Sequence, residues 1–305
     1  MEQSTSEASD KAKGILAGFI AALIWGAFPV VTRLGVEEGG SLDMFDVTAL
    51  RFGVAGLVLL PFLLKRGFAG VGWKPMLLIV CGAGVPYMLV VSLGLTYAPA
   101  GHFGVITPST MLAFSALAGW FVLKDKPDAV RVIGLIVILI GVVCIGWRSL
   151  TATTENMYFG DLCFVLGGIL WGTYTVSSKA WNINPFHSTA IVSVLSMVLF
   201  LPVYFAFRGP EVIAEAPKAA IVQAVYQGIF SAFLALFLYS RAVSFLGAAQ
   251  GAVFAALVPG IAVIMAVPVL DETPTTLEMI GVFIVTTGMV FSLGIHRSLS
   301  QTRTR

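Results

Sequence analysis

Charge is scarce in this chain. Asp, Glu, Lys and Arg make up 11% of its 305 residues while hydrophobic residues make up 58%, against about 25% charge in an ordinary soluble domain. A soluble globular fold is therefore excluded, and a membrane protein is expected. Alternation of polar and apolar residues at period two is also missing, which excludes a lipid-embedded β-barrel. Only helices then satisfy the backbone inside a bilayer. Cysteine is limited to Cys81, Cys144 and Cys163, an odd number, unpaired in spacing and placed within apolar runs. Neither a disulfide framework nor a metal site is expected, and the three read as small packing residues. A net charge of +2 gives no ground for a nucleic-acid partner. No GK[ST] phosphate loop occurs and no connection could house a nucleotide domain, so ATP-driven pumping by this chain alone is excluded. No cofactor is implied.

What is present is a series of ten apolar runs, near 14–35, 43–64, 75–97, 99–123, 128–148, 160–181, 186–207, 218–243, 246–269 and 276–295. Each is about the length that crosses a hydrocarbon core. The first follows "MEQSTSEASDKAK" and is too long, and too poor in cleavage signals, for a removed leader. Connections such as "EEGG" (37–40), "KDKP" (124–127) and "DETP" (271–274) are short, so all chemistry is expected in or beside the bilayer. With the N-terminus inside, the 18 cations divide as 13 inside, 4 outside (Arg33, Arg148, Arg208, Lys218) and one, Arg51, within a span. The positive-inside rule then places both termini in the cytoplasm.

The runs repeat. "LIWGAFPVVTR" at 23–33 and "ILWGTYTVSSK" at 169–179 share an offset of 146, so Trp25 matches Trp171 and Gly14 matches Gly160. Offsets of 147 and 148 align "IG" at 133 with "IG" at 280, Gly141 with Gly288, and "SLGLTYAPAGH" (92–102) with "SRAVSFLGAAQ" (240–250). Two five-helix halves follow, at 14–148 and 160–295, between cytoplasmic tails at 1–13 and 296–305. Five is odd, so the second half enters from the opposite side. Inverted repeats of this kind put a substrate site near the midplane between the halves. The expected fold is all-α integral membrane, ten transmembrane helices as two inverted five-helix repeats.

The ten spans, "LIWG" and "ILWG" in spans one and six, "RF" at 51–52 and the acidic turn signatures after spans four and nine resemble the EamA branch of the drug/metabolite transporter superfamily, and within it the YddG-type bacterial amino-acid exporters. Two places depart from the pattern: Lys124-Asp125 and Asp271-Glu272 stand where Gly-Glu is usual. The resemblance implies non-ATP efflux of small metabolites across a bacterial inner membrane.

Candidate substrate-binding residues follow from polarity at depth. Trp25 and Trp171 are mid-span, where an indole needs a partner or a polar cavity, whereas Trp73, Trp120, Trp147 and Trp181 sit near span ends as anchors. The bland reading is an indole filling a helix crossing beside Gly26 or Gly172. Tyr174 shares the face of Trp171. His102, paired by the repeat with Gln250, is the best protonation candidate; as an inverted pair the two would guard opposite mouths of one cavity, or each would simply cap a helix. Tyr87 follows Pro86, and Thr107 and Ser109 flank Pro108; each proline is expected to break its helix. Tyr239, and more weakly Tyr226 and Gln227, come from span eight. Arg51 must face the interior, either binding a substrate carboxylate or pairing with backbone carbonyls or Asp46. No acid lies at mid-span, so the substrate gradient is the expected driving force, with proton coupling through His102 as the alternative.

The residues point to a secondary transporter exporting small amphipathic metabolites, amino acids including aromatic ones first, by alternating access. Nucleotide-sugar, nucleoside or drug exchange is the alternative within that class. A channel or lipid scramblase, or an intramembrane enzyme, are rivals from other classes; for the last, His102 and Ser109 lie about 10 Å apart along a helix, too far for a direct hydrogen bond. No catalytic residue is expected. The expected partners are a small-molecule substrate and the lipid bilayer. The pairs Gly14/Gly18, Gly168/Gly172 and Gly247/Gly251 read as packing within one chain, with a monomer as the working unit and the oligomeric state open.

Overall fold

A computed structural model describes residues 2–36, 42–68, 70–151, 156–209 and 211–293. The "EEGG" connection and the 296–305 tail, with Arg297, Arg303 and Arg305, lie outside the described residues. Among the described residues there is no strand. Nine helices or helix pairs are long and apolar enough to cross a membrane, and a tenth, Thr276–Ser292, is apolar but only 17 residues long.

In chain order the helices are α1 (Glu2–Val36), α2 (Met44–Arg66), α3 (Trp73–Ala83), α4 (Val85–Tyr97), α5 (Ala100–Leu123), α6 (Ala129–Thr151), α7 (Met157–Ala180), α8 (Pro185–Arg208), the short α9 (Glu211–Glu215), α10 (Pro217–Gln223), α11 (Ala235–Leu246), α12 (Ala248–Leu270) and α13 (Thr276–Ser292). The stretch Ala224–Leu234 between α10 and α11 is wound as a π-helix, a rare form that is frequent at functional sites. Residues 2–13, expected as a tail, are wound into the start of α1. They contain no Pro or Gly to stop a helix, and Lys13 reaches back to Asp10 at 3.0 Å.

Chain termination follows local chemistry. Asp43 caps α2 through the amides of Phe45 and Asp46, while Asp46 returns a bond to the Asp43 amide. Thr275 and Glu278 form the same reciprocal box at α13, satisfying amides that would otherwise be orphaned in an apolar setting. The third span does break next to its proline: α3 stops at Gly84, and Pro86 opens α4. The fourth does not. Pro108 sits inside an uninterrupted α5, because a proline removes only one backbone bond and Thr107 Oγ1 ties α5 to the Phe164 carbonyl of α7 at 3.0 Å.

Because spans alternate in direction, helix ends sort onto two faces. The near face, where α1 begins, carries the ends of α2, α5, α7 and α11; the far face carries the ends of α1, α6, α8 and α12. Helix packing joins α1 to α11 and α12, α7 to α3, α4 and α5, α2 to α8, and α6 to α13. In the last pair the backbones nearly touch. A Cβ at Gly134 would stand 2.9 Å from the Gly288 carbonyl, and one at Gly281 2.9 Å from the Gly141 carbonyl, so only glycine lets the helices approach so closely.

Candidate functional site

A cavity of about 220 Å³ is lined by side chains of α1, α2, α3, α7, α8, α11 and the π segment. It extends from Pro185 and Thr189, in the first turns of α8 at the near face, to Arg51, two turns down α2 from the far face. Trp25 and Trp171 both line it, with Tyr174, Tyr239 and Phe52. The rings contact in two groups. Trp25 and Tyr239 have centroids 5.2 Å apart, and Trp171 lies 4.8 Å from Tyr87 and 5.6 Å from Tyr174, separations at which aromatic pairs attract.

Arg51 is the only charged residue among those lining the cavity. The residue is 7% exposed, and Nη1 donates to Gln227 Oε1 at 2.9 Å and Ser231 Oγ at 3.3 Å. Gln227 in turn donates to Thr32 Oγ1 at 2.8 Å. Phe28 and Phe52 lie 5.4 and 5.9 Å from the guanidinium carbon, within cation–π range. Nε is buried and donates to nothing. The cation is thus fixed by the π segment, with a donor to spare. The π winding presents Gln227 and Ser231 together to it.

The expected pairing of Arg51 with Asp46 does not occur. Asp46 is fully buried and accepts from Tyr204 at 2.7 Å and Arg208 at 3.3 Å. Tyr87 is buried behind Trp171 and supports the cavity wall rather than lining it. Thr107 is consumed in the α5–α7 contact, and Ser109 is 1% exposed. Gln250 lies in the first turn of α12, outside the lining of this cavity. His102 is also elsewhere, in the first turn of α5 at the far face. Tyr226, read as interfacial, sends its hydroxyl to the Ile24 carbonyl, and Gln227 is fully buried.

The far face is built differently. A second cavity, about 360 Å³, is lined by Arg33, His102, Arg148, Glu272 and Glu278 among others. His102 contacts Asp161 at 2.9 Å through Nδ1 and Glu278 at 2.7 Å through Nε2. Arg148 reaches Glu278 at 3.2 Å, and Ser149 donates to Asp161. Arg33 pairs with Glu272 at 3.4 Å and donates to the Ala98 carbonyl. Glu272 also accepts from the amides of Ala100 and Gly101 at 2.7 and 3.2 Å, where the dipole of α5 favours an anion. On the near face the ion pairs are exposed: Lys179 lies 3.1 Å from Asp125 and, first among its neighbours, holds that carboxyl below its usual range, with Arg131 3.7 Å away. Among the described residues, no group of three or more His, Cys, Asp or Glu side chains is arranged to hold a metal ion.

This geometry, two mid-span tryptophans from separate halves on one membrane-embedded cavity, meets its match in sequence. The EamA-like transporter family model fits the chain twice, at residues 12–147 and 158–294. The chain is a member of the EamA-like transporter family. It is similar to the "Uncharacterized transporter YoaV" of Bacillus subtilis, 22% identical over 280 residues covering 90% of this chain and 95% of the relative. It is also similar to the "Uncharacterized transporter YetK" of the same organism, 26% identical over 92% of this chain and 86% of the relative. The "Uncharacterized inner membrane transporter YedA" of Escherichia coli is 23% identical over 89% and 88%. A solved structure described only as "Crystal structure of protein" shares the fold, with TM-score 0.59 at 20% identity over 94% of this chain and 99% of that one. This EamA-family transporter is therefore a multi-pass membrane protein that moves a small-molecule substrate.

Residues that sequence reasoning missed are Asp161, Glu278 and Ser231. The signal for all three was the same: a buried ionisable group must have a partner, and neither His102 nor Arg51 has one on its own helix.

Proposed function

We propose that this transporter exports small amphipathic metabolites, amino acids including aromatic ones first, by alternating access between two inverted five-helix halves. The observation that carries the reading is a small aromatic cavity with one fixed cation and no acid. A substrate carboxylate would meet Arg51, whose free Nε points to a role beyond structure, and an apolar or aromatic side chain would lie among Trp25, Trp171, Tyr174 and Tyr239. At about 220 Å³ the cavity is smaller than the roughly 300–1,000 Å³ of drug-sized sites, which favours an amino acid over a nucleotide sugar and agrees with YddG-type export.

The inverted arrangement is supported by the symmetry of the packing. Under the sequence repeat, the Gly134–Gly288 contact exchanges with Gly281–Gly141, the α2–α8 pair maps onto itself, and α1–α12 exchanges with α5–α7. The cation bias supports a cytoplasmic near face and cytoplasmic termini. On that orientation the aromatic cavity reaches toward the cytoplasm, and the ionic network closes the outside.

The test is counterflow of labelled amino acids in proteoliposomes. Trp171→Ala and Tyr87→Ala are each expected to lower counterflow about tenfold, in line with roughly 1–1.5 kcal/mol per lost aromatic contact. Undiminished flux in both removes the aromatic wall from the substrate site.

A further inference from the structure

His102 spends both ring nitrogens on carboxylates, and both carboxylates come from the other half of the chain. Asp161 is the fifth residue of α7 and Glu278 lies in the first turn of α13, so the ring, 3% exposed, is the joint at which α5 meets both. Carboxylate oxygens accept hydrogen bonds and do not donate. Each of the two short contacts therefore needs a proton between its partners. A neutral imidazole supplies one, so the joined state holds one more proton than the separated groups hold above the ordinary imidazole pKa of about 6.5. Without that proton, a ring lone pair would face a carboxylate oxygen at hydrogen-bond distance in a buried setting.

The surrounding charges do not supply a substitute. Arg148 of α6 is engaged with Glu278, and Arg33 of α1 with Glu272 at the end of α12; Asp271 stands beside that pair on the far cavity. Asp161 has Ser149 and His102 as its partners.

We propose that His102, Asp161 and Glu278 form a proton-binding site whose occupancy is tied to closure of the far face. Binding the proton locks α5 onto α7 and α13; when the helices part, the proton leaves to far-side water. Acid therefore holds the far cavity shut, and alkali lets it open. The proposal rests on the alternating-access reading and adds a second, ionic ligand at a site separate from the aromatic cavity.

The test uses the full chain in proteoliposomes, with Cys81, Cys144 and Cys163 replaced by Ala and a single thiol introduced as Val263→Cys, at a position that lines the far cavity and is 6% exposed. Labelling by a membrane-impermeant maleimide, normalised to the unfolded protein at each pH, is expected to rise on the order of tenfold from pH 6 to pH 9, the limit for one proton being tenfold per unit. With His102→Gln the profile is expected to be flat. Asp161→Asn is the second variant: its amide donates to a neutral ring without an added proton, so labelling is expected to stay slow at every pH. A flat profile with His102 and Asp161 both in place overturns the proposal, as does an undiminished slope in either variant. Amino-acid counterflow in the same vesicles separates the two readings. A His102-dependent profile without counterflow supports the proton site and sinks the amino-acid assignment.

Discussion

The two cavities of this transporter solve opposite problems with different chemistry. The near-face cavity is walled by rings and holds one cation fixed by neutral partners; the far-face cavity is walled by acids and bases that satisfy one another. Aromatic walls adapt to a ligand that comes and goes, because stacking tolerates many shapes. Buried ion pairs do the reverse: once separated they are costly, so they define a discrete closed state. On the function proposed above, the contrast would separate a surface for binding from a surface for closing.

The sharpest way to break that contrast is Glu278→Ala. It strips partners from His102, Arg148 and the Thr275 amide at once, and the expected cost is about 3–5 kcal/mol, read as a lowered melting temperature in detergent. A loss below about 1 kcal/mol would mean the far-face network does not hold the fold closed. Next is Arg51→Met on the binding side. Losing a charged hydrogen bond to a carboxylate costs about 1.5–3 kcal/mol, or roughly 10–150-fold in apparent affinity, while amide analogues of the same substrates lose little. Equal losses for acid and amide would reduce Arg51 to a structural cation. The smallest effect is expected from Asp125→Asn. Its pairing with Lys179 is exposed, and counterflow and melting should be unchanged; a clear loss would give the near face a latch of its own.

Much of the architecture was legible because it rests on long-range periodicity. The nine or ten apolar helices and the doubled tryptophan motif follow from residue spacing, and the lipid requirement leaves few alternatives; the facing glycine pairs of α6 and α13 do not, because spacing aligns those glycines without saying that they touch. The bottom of the aromatic cavity was half legible: a lone arginine in a span announces a need, but not that Gln227 and Ser231 meet it, since no local pattern foretold the π winding that presents them. His102 was also half legible. Its depth along its own helix suggested a residue at a cavity mouth, and it lines the far cavity, but nothing local foretold the two acids, 59 and 176 positions away, that meet its ring. Pro108 misled because packing across to α7 outweighs one missing backbone bond.

Arg51 also fixes how the transporter would respond to voltage. With one positive charge embedded in the aromatic cavity and no negative one, empty and zwitterion-loaded carriers bear identical charge, so exchanging one zwitterion for another is electrically silent. A monoanion exported from the same seat would instead carry negative charge outward, so each net turnover would be driven by an inside-negative membrane potential, by about 2.3 kcal/mol per 100 mV.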